Sequence, residues 1–322
     1  MGRPKNKPSS GLTGVYCRED GIAVAQVQRR ENALPRLVCG EYLLLPDGAM
    51  SAGVLQEGIA RLNLGKSQCV GVLSSDEYSL LQVEPPSVPA PELREAIRWQ
   101  IRELIDYPVD EAVVDVFSVP HEGRQGRSPM AYAVSARRGT IREQASLLGS
   151  ARLKISAIDI PELALRNLTS LLPEDERGLA FLSLGRTQGT LIITRGKNLY
   201  LTRHINIGSD QLMELANAPE GDGLVDLSSR FNDLLDSVVL EVQRSLDFYE
   251  SNFSLPPISS LVVAPMEAGL PQLIPYLKSY LGVSVRALDL AEILECPGMD
   301  SIKQARCLQA IGASLRRGAE VA

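Results

Sequence analysis

The sequence predicts an α/β protein built from two related halves, with a small α+β module inserted in the first half. Two β-rich runs joined by a charged turn occur at residues 14–27, and a strand, a glycine-containing turn and a second strand occur again at residues 179–194. A third strand follows each hairpin, at residues 37–45 and 198–205, and helical stretches come after it. The repeated order indicates an internal duplication.

Composition places the chain among globular proteins. It has 322 residues, of which 44% are hydrophobic and 22% are charged, enough for two domains with sizeable cores. The net charge of −6 and the pI of about 5.2 argue against nucleic-acid binding, because a phosphate backbone is bound by clustered cations. We therefore expect no nucleic-acid partner.

Cysteine usage and hydropathy indicate a cytoplasmic protein. The five cysteines form no C-x-x-C pair, and the two histidines lie in unrelated contexts, so we expect no metal site. Lone thiols are typical of a reducing compartment. No apolar run approaches the roughly 18–20 residues that span a bilayer, and the polar residues 1–10 form no secretory signal.

The inserted module begins at a proline-rich run, residues 83–91, which excludes a helix or a central strand. We place the module at about residues 85–135 and expect a βαβ-like arrangement. Its predicted elements are a helix at 92–105 that ends before Pro108 and strands at 115–119 and 130–135. The other predicted elements of the first half are a helix at 52–62, a strand at 69–73, a helix at 140–148, a strand at 154–159 and a helix that Pro161 opens.

The second half continues into a long helix and a buried strand, and its last strands and helices run to about residue 317. Its elements after the third strand are a helix at 208–216, a loop at 217–224, a helix at 227–249 and a strand at 258–264. The predicted layout is a disordered leader at 1–10, a first half at 11–172, a second half at 173–318 and a tail at 319–322.

Three segments carry a resemblance to a known family: residues 91–97 with the later Pro108, residues 201–208 and residues 241–249. Over about residues 12–316 the chain resembles the PilM-type proteins of type IV pilus assembly, in the FtsA/actin-like ATPase group. Among them it is most similar to the MshI type, which serves mannose-sensitive haemagglutinin pili. The resemblance implies an actin-like fold, that is, a duplicated ribonuclease H-like fold.

The resemblance also implies a function. It predicts a cytoplasmic scaffold, peripheral at the inner membrane, that binds a bitopic inner-membrane partner of the PilN type. The assembly ATPase and the platform protein are further partners that it implies. The matching segments are architectural, so they indicate fold more strongly than activity.

Nucleotide binding in this family depends on two phosphate hairpins and an adenosine turn. In the first hairpin the family's aspartate falls on Tyr16 and its turn glycine on Arg18, while Gly21 comes several residues later. A tyrosine does not supply the hard anionic oxygen that Mg²⁺ prefers, and an arginine fills the space of a phosphate. The first hairpin therefore departs from the family pattern.

The other two segments depart from it as well. In the second hairpin the family's Asp-Ile-Gly reads Ser183-Leu-Gly185, although Gly185 and Thr190 keep the turn's character. At the adenosine turn, where relatives read Ser-Gly-Gly, this chain has Pro265 and Met266 after Ala264. Loss at all three segments predicts a pseudo-ATPase with no catalytic residue and no cofactor.

Two alternatives stay open. In the first, the protein is an active PilM-like ATPase that holds ATP and Mg²⁺ through backbone contacts near Gly21 and Ser183. In the second, it is the cytoplasmic component of a type II secretion platform, a group with the same fold. We expect such chains to continue into a membrane-spanning helix, which is not found up to Ala322.

Arg186 and Arg203 lie near the expected cleft and have two interpretations. They are surface arginines on a turn and a strand, or they are cations that replace the nucleotide's magnesium and hold the two halves together.

The helix at 92–105 carries a candidate partner surface. Trp99, the only tryptophan, projects away from the apolar face and lies among glutamates, with Arg98 and Arg102 beside it. Tryptophan and arginine are frequent in binding hot spots, so these three residues are the candidate partner-binding residues. The alternative is that Trp99 packs under the proline-rich run or against the main body.

Overall fold

The computed structural model describes residues 11–45, 51–120, 129–217 and 227–317. The chain divides into two compact units, the first comprising Met1–Ala164 with Gln309–Ala322 and the second Leu165–Leu308. One division falls inside the helix Pro161–Thr169, and the other falls inside the helix Ser301–Ser314. The leader and tail predicted at 1–10 and 319–322 lie outside the described residues.

The first unit is built on a five-stranded sheet with the order β3-β2-β1-β4-β8. Strands β1, β2 and β3 pair antiparallel, and β1, β4 and β8 pair parallel. Its elements are β1 (Leu12–Arg18), β2 (Gly21–Gln28), β3 (Arg36–Leu44), α1 (Ala52–Arg61), β4 (Gln68–Val72), β5 (Tyr78–Val83), α2 (Ala90–Gln100), β6 (Ala112–Ser118), β7 (Ala131–Arg137), α3 (Arg138–Ser150), β8 (Lys154–Asp159) and α4 (Pro161–Thr169).

Side chains of β1 alternate between two cores. Val15 and Cys17 pack with α1 and α3, whereas Tyr16 packs with the side of the sheet that meets α4 and α8 (Ser301–Ser314). Gly14 lies against α8 so closely that a Cβ atom there would be 1.9 Å from the carbonyl oxygen of Ala310. The C-terminal part of α8 therefore packs directly on the β1 backbone.

The inserted module differs from its prediction. Its sheet has the order β5-β7-β6 with only antiparallel pairs, so it is not βαβ-like, and it begins at Tyr78 rather than at residue 85. Helix α2 ends at Gln100 and turns follow to Leu104, so Leu104 leaves the apolar face and is 61% exposed. Ile97 of α2 and Ile101 just after it are fully buried in the module's core, as the helical spacing predicts.

The second unit repeats the first unit's sheet. Its order is β11-β10-β9-β12-β13, again with three antiparallel strands followed by two parallel ones. Its elements are β9 (Leu179–Leu184), β10 (Gly189–Arg195), β11 (Asn198–Ile205), α5 (Ser209–Ala216), α6 (Leu227–Phe253), β12 (Ser260–Val263), α7 (Leu273–Tyr280) and β13 (Ser284–Ala287). The identical strand order confirms the predicted α/β fold of two related halves.

The long helix α6 is anchored by aromatic rings. Tyr249 is fully buried and lies edge-on to Tyr200 of β11, with ring centroids 5.7 Å apart. Phe253 completes the group, 5.3 Å from Tyr249 and 5.2 Å from Tyr200. The segment at 241–249 is thus architectural. No helix among the described residues is long and apolar enough to cross a membrane.

The contact between Gly14 and α8 is expected to control the stability of the first unit. Replacing Gly14 with alanine should lower the free energy of unfolding by about 1–3 kcal/mol, because the new methyl group overlaps the Ala310 carbonyl. The matched control is Gly149→Ala in α3, where a Cβ meets no atom within 4 Å; it should be neutral or stabilising by up to about 1 kcal/mol. Urea unfolding of both variants measures the difference, and equal stabilities would contradict the close contact.

Candidate functional site

Side-chain contacts stabilise the first hairpin turn. Arg18 and Gly21 are register partners, which leaves Glu19 and Asp20 as the turn. The Nε atom of Arg18 lies 3.1 Å from the Asp20 carboxylate, and the Tyr42 hydroxyl donates to the same oxygen. Partial burial opposes the ionisation of Asp20, but the Tyr42 hydrogen bond and the Arg18 charge outweigh it and hold the Asp20 pKa below its usual value. Arg18 therefore already has an internal anion.

Tyr16 lies in a polar cluster that sequence reasoning missed. Burial raises the pKa of Tyr16 to about 12, with Asp76, Glu162 and Glu77 adding to the rise while Arg18 opposes it. At neutral pH its hydroxyl is thus uncharged.

The buried carboxylate of this cluster belongs to Glu162. It is fully buried in the first turn of α4, and the Tyr78 hydroxyl lies 2.7–2.8 Å from both of its oxygens. Burial and the adjacent carboxylate raise the Tyr78 pKa well above its usual value. The sequence signal for this group was a glutamate directly after Pro161, in the first turn of α4.

A second buried carboxylate, that of Asp159, lies at the end of β8. Asp159 is 4% exposed and lies 2.6 Å from the Nη1 atom of Arg316, just beyond the end of α8. Its other oxygen accepts from the backbone N–H of Ile160. The charge of Asp159 is therefore matched inside the first unit by a residue far away in sequence.

The second hairpin keeps its shape without a carboxylate. Ser183 and Thr190 face each other in register across β9 and β10, and Ser183 is 8% exposed. The N–H of Gly185 donates to the carbonyl oxygen of Gln188 at 3.0 Å, which closes a four-residue turn. The structure thus brings together three of the residues singled out in this hairpin.

The hairpin turn also occupies the first N–H groups of α5. Ser209 N–H donates to the Gly185 carbonyl at 2.8 Å, and Asp210 N–H donates to the Arg186 carbonyl at 3.0 Å. Gly208 allows this approach, since a Cβ atom there would be 2.0 Å from the Arg186 oxygen. The N–H groups at a helix start are ready donors for a phosphate, and here two of them are bonded to the protein itself.

The adenosine turn is held at both ends within the second unit. Ala264 N–H donates to the Leu182 carbonyl at 2.8 Å, so the turn starts directly beside Ser183. Glu267 pairs with Arg306 of α8 at 2.8 Å. Between them lie Pro265, which has no N–H, and Met266, both partly buried.

Arg186 and Arg203 each pair with a carboxylate of the second unit. Arg186 lies 3.1 Å from Asp210, and Arg203 lies 3.3 Å from Glu241 on α6. Glu241 also pairs with Arg244 at 3.0 Å. Each of the two arginines therefore has a carboxylate partner within its own unit.

Of the three candidate partner-binding residues, two lie on the surface. Trp99 is 50% exposed, so it is not packed under the proline-rich run, and its Nε1 donates to Glu95 at 3.0 Å. Arg102 is exposed and pairs with Glu103 at 3.0 Å. Arg98 instead donates to the Val109 carbonyl at 2.8 and 3.1 Å and thereby holds the following loop against α2.

Solved structures with a similar architecture carry the actin-like fold. A PilM–PilN type IV pilus biogenesis complex matches with a TM-score of 0.70 and 20% identity, over 96% of this chain and 98% of that chain. A Bacteroides thetaiotaomicron protein with an actin-like ATPase fold and unknown function matches with a TM-score of 0.50 and 8% identity, over 96% and 99%. This chain has the actin-like fold. The PilM-like architecture expected from the resemblance is therefore confirmed.

A third similar structure is the cytoplasmic domain of EpsL, an inner-membrane component of the type II secretion system of Vibrio cholerae. It matches with a TM-score of 0.45 and 16% identity, over 67% of this chain and 80% of that chain. No protein-family model and no curated protein matches this sequence. Among the described residues, no group of three or more histidine, cysteine or acidic side chains could hold a metal ion.

Buried thiols should make the protein sensitive to alkaline pH. Burial raises the pKa of Cys17 to about 12 and that of Cys69 to about 11, from a value of 9.0 in the absence of burial. Between pH 9 and pH 11 the unfolded chain loses protons that the folded chain keeps, so the free energy of unfolding should fall as the pH rises. Urea unfolding across this range should show a shallower fall for a Cys17→Ala/Cys69→Ala variant, and parallel curves would contradict the assignment.

The emission of Trp99 reports directly on the α2 surface, since it is the only tryptophan. Because half of the side chain is exposed, native emission should lie close to that of the unfolded protein and should be readily quenched by acrylamide. Blue-shifted emission that resists quenching would contradict the exposed position of the indole.

Proposed function

We propose that this protein is a scaffold of a type IV pilus assembly platform that works by binding rather than by nucleotide hydrolysis. The observation that carries the proposal is the likeness to a PilM–PilN complex over nearly the whole of both chains. We infer that the partner is a PilN-like bitopic protein, and that it holds this chain at the cytoplasmic face of the inner membrane.

The residues at the family's nucleotide site support the absence of hydrolysis. ATP and Mg²⁺, which the fold family implies, would meet an uncharged Tyr16 and an internal Arg18–Asp20 pair at the first hairpin. At the second hairpin they would meet Ser183 and a helix start whose N–H groups are already bonded. Pro265 and Met266 fill the adenosine turn. The residues present do not fit the nucleotide, and we infer a pseudo-ATPase.

The sequence segments support a finer assignment. The resemblance, whose most specific segments are residues 91–97 with Pro108, 201–208 and 241–249, is greatest to the MshI type, and we infer a role in pili of the mannose-sensitive haemagglutinin class. In that role the protein would connect the membrane partner to the assembly ATPase and the platform protein.

Calorimetry with ATP and excess Mg²⁺ tests the pseudo-ATPase. We expect no heat of binding and no change in melting temperature at millimolar nucleotide, because the Ser209 and Asp210 N–H groups are bonded to the protein itself and Tyr16 and Ser183 supply no carboxylate for Mg²⁺. A Tyr16→Asp/Ser183→Asp variant should also fail to bind, since the Ser209 and Asp210 N–H groups stay occupied. Micromolar binding by the natural protein would overturn the pseudo-ATPase and favour the ATPase alternative.

Binding to a PilN-type cytoplasmic peptide tests the scaffold. The same protein preparation should bind the peptide with or without ATP. Absence of binding, together with binding to the cytoplasmic partners of a type II secretion system, would overturn the pilus assignment.

A further inference from the structure

We propose that the end of the first unit's sheet at which its parallel strands begin binds an anionic lipid surface. This basic end is defined by five exposed cations: Arg36, Arg61, Lys66, Arg152 and Lys154. The inference goes beyond the proposed function, since it concerns contact with lipid headgroups and needs no partner protein.

Strand pairing and turns bring these cations to one end of the sheet. Arg36 begins β3 opposite the end of β2, and β1 begins beside the same end of β2. Arg61 is the last residue of α1, and the turn that follows it contains Lys66. The Lys66 N–H donates to the Arg152 carbonyl at 2.8 Å, and the Lys154 N–H donates to the residue after Lys66 at 2.9 Å. Because neighbouring strands are about 4.8 Å apart, the five strands spread the cations over about 20 Å.

The turns at this end are strongly positive. Residues 28–36, 60–68 and 149–154 contain seven lysines and arginines and one acidic residue, Glu31. The net charge of the whole chain is −6, so the remainder of the chain is strongly acidic. Arg317 lies near the same end, since its charge, after burial as the larger cause, lowers the pKa of Arg29. This separation of charge orients the basic end toward an anionic surface.

The cations of the basic end are not used in internal ion pairs. Within the part of the chain that the structure describes, none of the five forms a salt bridge. Other arginines of the first unit do, such as Arg18 with Asp20 at 3.1 Å and Arg94 with Asp115 at 2.8 Å. The charge of the basic end is therefore available to an external anion.

Two of the five cations occupy backbone positions that favour glycine or asparagine. The φ angle is +71° at Lys66 and +61° at Arg152, in the left-handed region. This conformation is sterically unfavourable for a residue with a long side chain. In neighbouring turns it falls on asparagine instead, at Asn32 and Asn63. The turn geometry thus does not account for a lysine and an arginine at these two positions, whereas a role for their charge does.

The turn between β2 and β3 adds an apolar side chain among the cations. Leu34 is 45% exposed, and its carbonyl oxygen accepts from the Nε and Nη2 atoms of Arg30 at 3.1 and 2.7 Å. Arg36 follows two residues later. A leucine flanked by arginines suits a bilayer interface, because the leucine enters the acyl boundary while the guanidinium groups stay at the lipid phosphates.

Other polyanions match the basic end less well. The three turns contain no aromatic residue, whereas proteins that bind single-stranded nucleic acids stack bases on aromatic rings. A discrete phosphate site needs cations that converge on one point, but these cations are spread along the sheet end. An extended positive end on an acidic protein matches a membrane surface, because the acidic remainder can face away from it.

Vesicle co-sedimentation of the full chain tests this surface. The probes are vesicles of phosphatidylcholine alone and of phosphatidylcholine mixed with phosphatidylglycerol. We expect binding to the anionic vesicles only, and weaker binding as the salt concentration rises. An Arg36→Gln/Lys66→Gln/Lys154→Gln variant should lose about fivefold in affinity for each cation removed, or about a hundredfold in all.

The matched control removes three exposed cations elsewhere in the same unit, in an Arg94→Gln/Arg102→Gln/Arg142→Gln variant. It has the same net charge as the first variant, and its affinity for anionic vesicles should stay within about twofold of the natural affinity. Equal losses in the two variants would overturn the proposal, because net charge rather than the basic end would then control binding.

Two further outcomes would also overturn it. One is that the natural protein does not sediment with anionic vesicles. The other is that RNA displaces the protein from the vesicles and is itself bound less tightly by the first variant only, which would assign the basic end to a nucleic acid. None of these measurements contains a PilN-type peptide, so peptide binding by the same preparation decides the proposed function separately.

Discussion

Each unit depends on one central strand that pairs in two different ways. Strand β1 in the first unit and β9 in the second pair antiparallel with their hairpin partner on one side and parallel with a later strand on the other. In β9 all six residues are buried. Because hairpin pairing is local and parallel pairing needs a long crossover, this strand joins the short-range and long-range parts of each unit.

The central strand also determines what lies at the candidate nucleotide site. In the second unit, the carbonyl of Leu182 receives the N–H of Ala264, so the adenosine turn starts beside the hairpin. The same hairpin reaches the start of α5 and bonds to two of its N–H groups. Two helix-start N–H groups that could donate to a phosphate thus serve internal hydrogen bonds instead.

In the first unit, polar groups are likewise paired within the protein, here as ion pairs. Asp20 holds Arg18, and Arg316 holds the nearly buried Asp159. A buried carboxylate without a partner is costly, so Arg316 compensates the charge of Asp159. The inserted module differs, because half of the Trp99 side chain is exposed and keeps a large apolar surface in contact with solvent.

The sequence alone determined the duplicated sheets, the long helix and the place of the proline-rich run, because periodicity, turn residues and proline act locally. It also identified Trp99 as a residue off the apolar face of its helix. Only the tertiary structure decided how the polar groups pair. The contacts of Glu162 with Tyr78, of Asp159 with Arg316 and of Gly14 with Ala310 join residues 84, 157 and nearly 300 positions apart. Local patterns carry no information on such pairs, since chain topology alone brings them together.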